Sequence, residues 1–262
     1  AALLAMQSQQ LGQQSRGQTQ REKFETKNRT IRAESTLALA SLSGSLNEFE
    51  AKKIFASFGI TASRECVVTS SSDALQASSS MASHGVNRFV LKILSSTITH
   101  KSDVGGVAVN LNAEQVGERL SQMQALVETN TGVACEQFLL QEMVTGGVEM
   151  ILGMHRDPTG SAILLGMGGT TAELLEDTVL RMCPVSKADA REMMMSLKTW
   201  PLLSGYRGRP LADVDALVDA IVEFSNMVEN LGERLVTAEI NPLFVLPTSK
   251  GVVAADAVMV LL

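Results

Sequence analysis

From Leu46 onward the chain shows a regular exchange between two hydrophobic periods, one near 3.6 residues and one of 2. That exchange predicts helices interleaved with strands. Asn47, with Glu50 three residues on, forms a capping-box signature for a helix whose apolar side is Phe49, Ile54, Phe55 and Phe58, ended by Gly59. A short strand at Cys66–Thr69, a Ser-initiated helix at Ser72–Ser83 and an apolar strand at Arg88–Leu94 follow. Further on, the pattern predicts a strand at Val107–Leu111, a helix from Ala113 to about Val127, and strands at Phe138–Val144 and Val148–Gly153 joined through Thr-Gly-Gly. The stretches Ile163–Gly169, whose glycine run marks a tight turn or a close ligand approach, Ala172–Asp177 and Val179–Cys183 follow, and helices at Lys187–Leu197 and Asp213–Leu231 complete the middle of the chain.

The C-terminal stretch reads as a hairpin: Val236–Leu246, a turn at Pro247–Lys250, and a second strand from Gly251 to Val258. Alternation puts Glu239 and Asn241 on one face and Ala238, Ile240 and Pro242 on the other. A four-residue loop pairs Leu246 with Gly251 and sets Asn241 opposite Asp256. Two carboxylates and a carboxamide thus share one patch of an apolar hairpin. They suit either a hard divalent cation such as Mg²⁺ or a solvated edge face.

Lys92 interrupts its apolar strand and needs an anionic partner, either a ligand phosphate or a structural carboxylate. If the partner is a phosphate, replacing Lys92 should weaken ligand binding without unfolding the chain. The loop His100-Lys-Ser-Asp-Val-Gly105-Gly106 separates this strand from the next. Its glycines suit an anion-cradling nest or an ordinary hairpin turn. A second basic loop, Gly205–Pro210, is open to the same two readings, and Met193–Met195 reads as core filler.

Residues 1–44 differ in composition: Gln7–Gln20 is Gln-rich and Arg21–Arg32 is densely charged, which predicts a tether. The remainder, 45–262, is long enough for a real core. No apolar run approaches a membrane span, and the N-terminal AALLAM is too short for a signal peptide, so a cytoplasmic protein is expected. The first residue is not Met, which suggests a processed or truncated product. The three cysteines lack the spacing of a zinc site and read as small apolar residues. A net charge of -6 with scattered basic residues offers no footprint for nucleic acid.

Taken in order, these pieces resemble the ATP-grasp module of ADP-forming acyl-CoA synthetases, relatives of the succinyl-CoA synthetase β-subunit. The resemblance rests on Leu46–Lys52 with Phe55–Ile60, on Val90-Leu-Lys92, on His100–Gly106, on Gln141-Glu142-Met143 with Glu149, and on Glu239-Ile-Asn241-Pro-Leu with Asp256. It implies an α+β fold, two α/β subdomains clasping a nucleotide, with ATP and Mg²⁺ as cofactors. It implies His100 as phosphoryl carrier and Glu239 beside it in catalysis. Lys92, Gly105, Gly106, Glu142, Met143 and Glu149 would bind the nucleotide, and Asn241 and Asp256 the metal. The implied reaction joins a small carboxylic acid to CoA with ATP, giving ADP and phosphate through a phosphohistidine. The CoA-binding and CoA-ligase domains that such an enzyme needs are not found in this sequence. They are expected on the same polypeptide or on a partner subunit, with a homo-oligomer also open. The competing readings are a degenerate regulatory module like those carried by protein acetyltransferases and a purely structural subunit.

Overall fold

A computed structural model of the chain describes residues 42–95, 98, 101–169 and 177–262. The chain divides into a unit ending at Leu42 and a second, Ser43–Leu262. All the elements below belong to the second. The strands are β1 (Gly44–Leu46), β2 (Glu65–Val68), β3 (Phe89–Ile93), β4 (Val107–Leu111), β5 (Phe138–Glu142), β6 (Val148–Asp157), β7 (Gly160–Met167), β8 (Thr178–Met182), β9 (Leu235–Val245), β10 (Val252–Ala254) and β11 (Ala257–Leu261). The helices are α1 (Glu48–Ser57), α2 (Ser71–Ser83), α3 (Val116–Thr131), α4 (Lys187–Ser196), α5 (Trp200–Leu203) and α6 (Val214–Leu231).

Two antiparallel sheets organise these elements. One has the order β2-β5-β3-β4; the other runs β1-β11-β9-β6-β7-β8, with β10 also on β9. Phe138–Glu142 and Val148–Asp157, consecutive in sequence, therefore lie in different sheets. The first strand of the larger sheet, Gly44–Leu46, lies at the junction where the expected tether was to end. The expected single strand after Gly251 is broken into β10 and β11.

Alternation along β3 decides what each face of the smaller sheet meets. Phe89, Leu91 and Ile93 point to the core that α2 completes through Ala74 and α3 through Val116, Leu120, Met123 and Val127. Lys92 must then point to the opposite face. The register sets Lys92 against Leu139, Val90 against Gln141, and Gln141 against Glu65, so that face also carries Gln141 and Glu65.

The capping box at the start of α1 is present in full. The Asn47 side chain accepts from the Glu50 N–H at 3.0 Å, and the Asn47 N–H donates to Glu50 Oε2 at 3.1 Å. Phe55 stacks on Phe224 of α6, with ring centroids 5.7 Å apart, and both are fully buried. This contact fixes α1 against α6, and α1 also packs on β11 of the larger sheet. Of the triple methionine, Met193 and Met194 are buried core and Met195 is exposed. Cys66, Cys135 and Cys183 are free thiols, with only Cys135 fully buried.

The hairpin register is the one read from the sequence. Val245 pairs with Val252, Leu243 with Ala254 and Ile240 with Ala257, and Leu246 N–H donates to Gly251 O at 3.0 Å. Asn241 faces Asp256, its N–H donating to the Asp256 carbonyl at 3.2 Å. Against β6, however, the ladder slips: Met150 pairs with Leu243 but Leu152 pairs with Ile240. The extra residue at Asn241–Pro242 is a β-bulge, and it reverses which residues face inward. Ala238 and Ile240 are buried before it, Leu243 and Val245 after it. Bulges of this kind re-aim side chains at sheet positions where a ladder alone would not.

Candidate functional site

A cleft of about 480 Å³ opens where the bulged hairpin meets the loop before β4. Glu239, Asn241 and Asp256 line one wall; Glu48, Lys101 and Ser102 line the other. Asn241 Nδ2 lies 3.4 Å from Glu239 Oε1. Asp256 accepts the Ala257 N–H on one oxygen at 2.8 Å and the Lys92 ammonium on the other at 3.1 Å.

Beneath the cleft runs a network of three ammonium groups, Lys52, Lys92 and Lys101, and three carboxylates, Glu48, Glu65 and Asp256. Glu48 is its centre. Its Oε1 accepts from Lys52 Nζ at 2.8 Å, from Lys92 Nζ at 2.8 Å and from Gln141 Nε2 at 3.1 Å. Its Oε2 accepts from Lys101 Nζ at 2.9 Å. Lys92 gives its remaining hydrogen bond to the Ala255 carbonyl at 3.1 Å. Burial pushes the Glu48 carboxyl up, but Lys92, Lys52 and Lys101 together outweigh it and hold the group well below the usual carboxylate range. Burial pulls Lys92 down, and Glu48 and Asp256 more than restore it, so its pKa lies above the ordinary lysine value. Asp256 is moved the other way: burial, aided by nearby Glu48, raises it against the pull of Lys92 and Lys101.

Lys92 therefore takes structural carboxylates as partners, and it does so inside the protein. Replacing a side chain built into such a network removes contacts within the fold as well as any contact to a ligand. The glycine pair is also differently employed. Gly105 N–H donates to Ser102 O at 3.1 Å and Gly106 N–H to Lys101 O at 2.7 Å, so neither amide is open to an anion in this arrangement. A Cβ on Gly106 would lie 2.7 Å from Ile93 Cδ1 and 2.9 Å from Lys101 O, which is the reason for glycine there.

The three remaining nucleotide-site candidates lie away from the cleft lining. Glu142 forms a two-pronged pair with Arg64, Nε to Oε2 at 2.6 Å and Nη2 to Oε1 at 3.1 Å. Met143 N–H donates to Arg88 O at 2.9 Å. Glu149 packs against the glycine run: a Cβ on Gly169 would come within 2.4 Å of its Oε2. His100 lies outside the described residues, although its neighbour Lys101 is in the cleft wall.

Glu48, Lys52, Lys101, Glu65 and Gln141 were given no site role from the sequence, although all but Glu65 stand in the motifs that carry the resemblance. A signal for the first two was present. Glu48, Ala51, Lys52 and Phe55 fall at i, i+3, i+4 and i+7, the positions of a buried helical stripe, and all four are buried.

The fold and this cleft define a class. A family model described as an ATP-grasp domain matches residues 37–261, and the chain belongs to that family. Within it, the chain is 35% identical over 219 residues to the β-subunit of ADP-forming acetate–CoA ligase I of Pyrococcus furiosus, covering 82% of this chain and 91% of that one. An acetyl-coenzyme A synthetase 1 structure from Ca. Korarchaeum cryptofilum, in complex with coenzyme A and Ca-AMPCP, superposes with a TM-score of 0.78 at 34% identity, covering 88% of this chain and 99% of that one. The same enzyme in complex with coenzyme A and Mg-AMPPCP, its phosphohistidine segment pointing towards the nucleotide binding site, gives 0.69 at 30% identity, covering 90% and 100%. Against longer single-chain relatives the chain spans only 24% to 31% of their length. Among the described residues no helix is long and apolar enough to cross a membrane.

Proposed function

We propose that this chain is the nucleotide-binding, phosphoryl-transferring module of an ADP-forming acyl-CoA synthetase. It would act in the cytoplasm beside CoA-binding and CoA-ligase domains carried on the same polypeptide or a partner subunit. Residues 45–262 form the ATP-grasp module in this reading, and 1–44 its tether. The overall conversion is carboxylic acid, CoA and ATP to acyl-CoA, ADP and phosphate. The observation that carries the reading is the cleft itself: hard oxygen donors of a bulged hairpin face Lys101 of the loop before β4, with Lys92 behind them on Asp256, in a chain that spans nine tenths of a ligase β-subunit.

The donor set fits a hard divalent cation. Glu239, Asp256 and the Asn241 carboxamide oxygen would hold Mg²⁺, which supplies charge neutralisation on the phosphates. Lys101 would meet phosphate oxygens from the opposite wall, and Lys92 would join it once Asp256 turns from its ammonium to the cation, placing fixed positive charge where the transferring group gains negative charge. His100, adjacent to Lys101, is assigned the covalent carriage of the phosphoryl group. Its neutral imidazole is a competent nucleophile near pH 7.

As built, the network of three lysines and three carboxylates has no surplus positive charge for a triphosphate. Neutralising Asp256 and Glu239 changes that balance. Calorimetric titration of the chain with ATP should therefore show tighter binding with Mg²⁺ than with EDTA, and Asp256→Asn should remove most of the difference. Equal affinity in both media would count against a metal site on this hairpin.

A further inference from the structure

We propose that Glu48 is the positioning residue for the phosphate-facing lysines: one of its oxygens fixes Lys92 on β3 and the other fixes Lys101 on the loop before β4. This rests on the nucleotide-binding reading above and extends it to a residue outside the cleft's cation-binding and phosphate-meeting groups.

The argument begins with how firmly Glu48 is itself held. It is the first residue of α1, directly after the N-cap Asn47, where the helix dipole favours a carboxylate. Its side chain is 1% exposed and is anchored from behind by Lys52, one helical turn on, and by Gln141 of β5. Lys52 is in turn held by Glu65 of β2. A side chain locked on a helix by packing and hydrogen bonds is the kind of support that holds a working geometry.

The two lysines differ in how much else holds them. Lys92 lies on a strand and has two further acceptors, Ala255 O and Asp256. Lys101 lies in a loop, and among the described residues its one ion pair is to Glu48. Glu48 thus ties the loop cation to the strand cation at the spacing of a single carboxylate. A phosphate group, with several oxygens, can accept from Lys101 in the cleft and from Lys92 when Asp256, the more exposed of its two carboxylate partners, is drawn to a cation. A network retained for stability alone has little to recommend it, because buried ion networks are often replaceable by apolar packing without loss.

The test separates positioning from structural support by the phosphate content of the ligand. Wild type, Glu48→Gln, Lys101→Met and the double variant of the 262-residue chain are titrated with ATP and with AMP in excess Mg²⁺. Glu48→Gln should weaken ATP binding by about 10- to 100-fold, the worth of one or two charge-assisted contacts, and leave AMP within about twofold. Lys101→Met should lose a smaller part of the same discrimination, and the double variant should lose less than the product of the two single losses. Equal loss of ATP and AMP, or loss of neither, overturns the proposal. If Glu48→Gln does not fold, Lys101→Met decides: unchanged ATP affinity there overturns it too. A wild-type chain that binds neither nucleotide overturns instead the reading on which the proposal rests.

Discussion

Replacing Lys92 by Met keeps the length of the side chain and removes its charge, so the effect reads the network rather than a cavity. Three contacts disappear: Glu48 at 2.8 Å, Asp256 at 3.1 Å and the Ala255 carbonyl at 3.1 Å. The Glu48 contact is between groups 10% and 1% exposed and is worth about 1.5 to 3 kcal/mol. The Asp256 carboxylate is 36% exposed, which limits that pair to about 0.5 to 1 kcal/mol. Against this, the variant no longer buries an ammonium, and Glu48 keeps Lys52 and Lys101, so it is not stranded. The net expectation is a loss of about 2 to 3 kcal/mol, below the ~3 to 5 kcal/mol of a buried pair left with no second partner. Urea unfolding followed by circular dichroism should show a lower midpoint at unchanged slope, and melting should fall by roughly 4 to 12 °C for a domain of this size. A Lys92→Met chain with a wild-type midpoint would refute the reasoning, since it would mean that the buried contacts contribute nothing beyond what methionine supplies.

Acid should act through Glu48. Its folded pKa lies below the unfolded value, so the stability it contributes is complete above the ordinary carboxylate pKa of about 4.3 and is lost as pH falls through the folded value. Urea midpoints between pH 3 and 8 should therefore decline below about pH 4, and less steeply in Glu48→Gln. Asp256, shifted upward, opposes this trend, and an identical acid limb in both chains would remove Glu48 as its source. In the complete synthetase, His100→Ala should abolish acid-labile label on this chain after incubation with γ-labelled ATP and lower acyl-CoA synthesis. Normal synthesis by that variant would return phosphoryl carriage to the other domains.

The sequence by itself was enough for most of the elements and for the pairing of the C-terminal hairpin, though not for β1, α5 or the break between β10 and β11. Capping chemistry at Asn47, glycine punctuation and the two hydrophobic periods act over a few residues, so they can be read in place. A four-residue turn after Leu246 likewise carries the register back to Asn241 and Asp256 by counting alone. Even the face of Lys92 follows from alternation with Leu91 and Ile93. What neutralises Lys92 does not. Glu48 is 44 residues away and Asp256 is 164, and they converge because α1 packs beside β11 of the larger sheet and, through Phe55, against Phe224 of α6. The bulge at Asn241–Pro242 was equally out of reach, because it exists only relative to β6, a strand about 90 residues earlier. The employment of the Gly105 and Gly106 amides was settled by the carbonyls of Ser102 and Lys101, which the folded loop turns toward them. Local propensity acts through neighbours in the chain; charge compensation in a buried cluster acts through neighbours in space, and only the packing of the two sheets determines who those are.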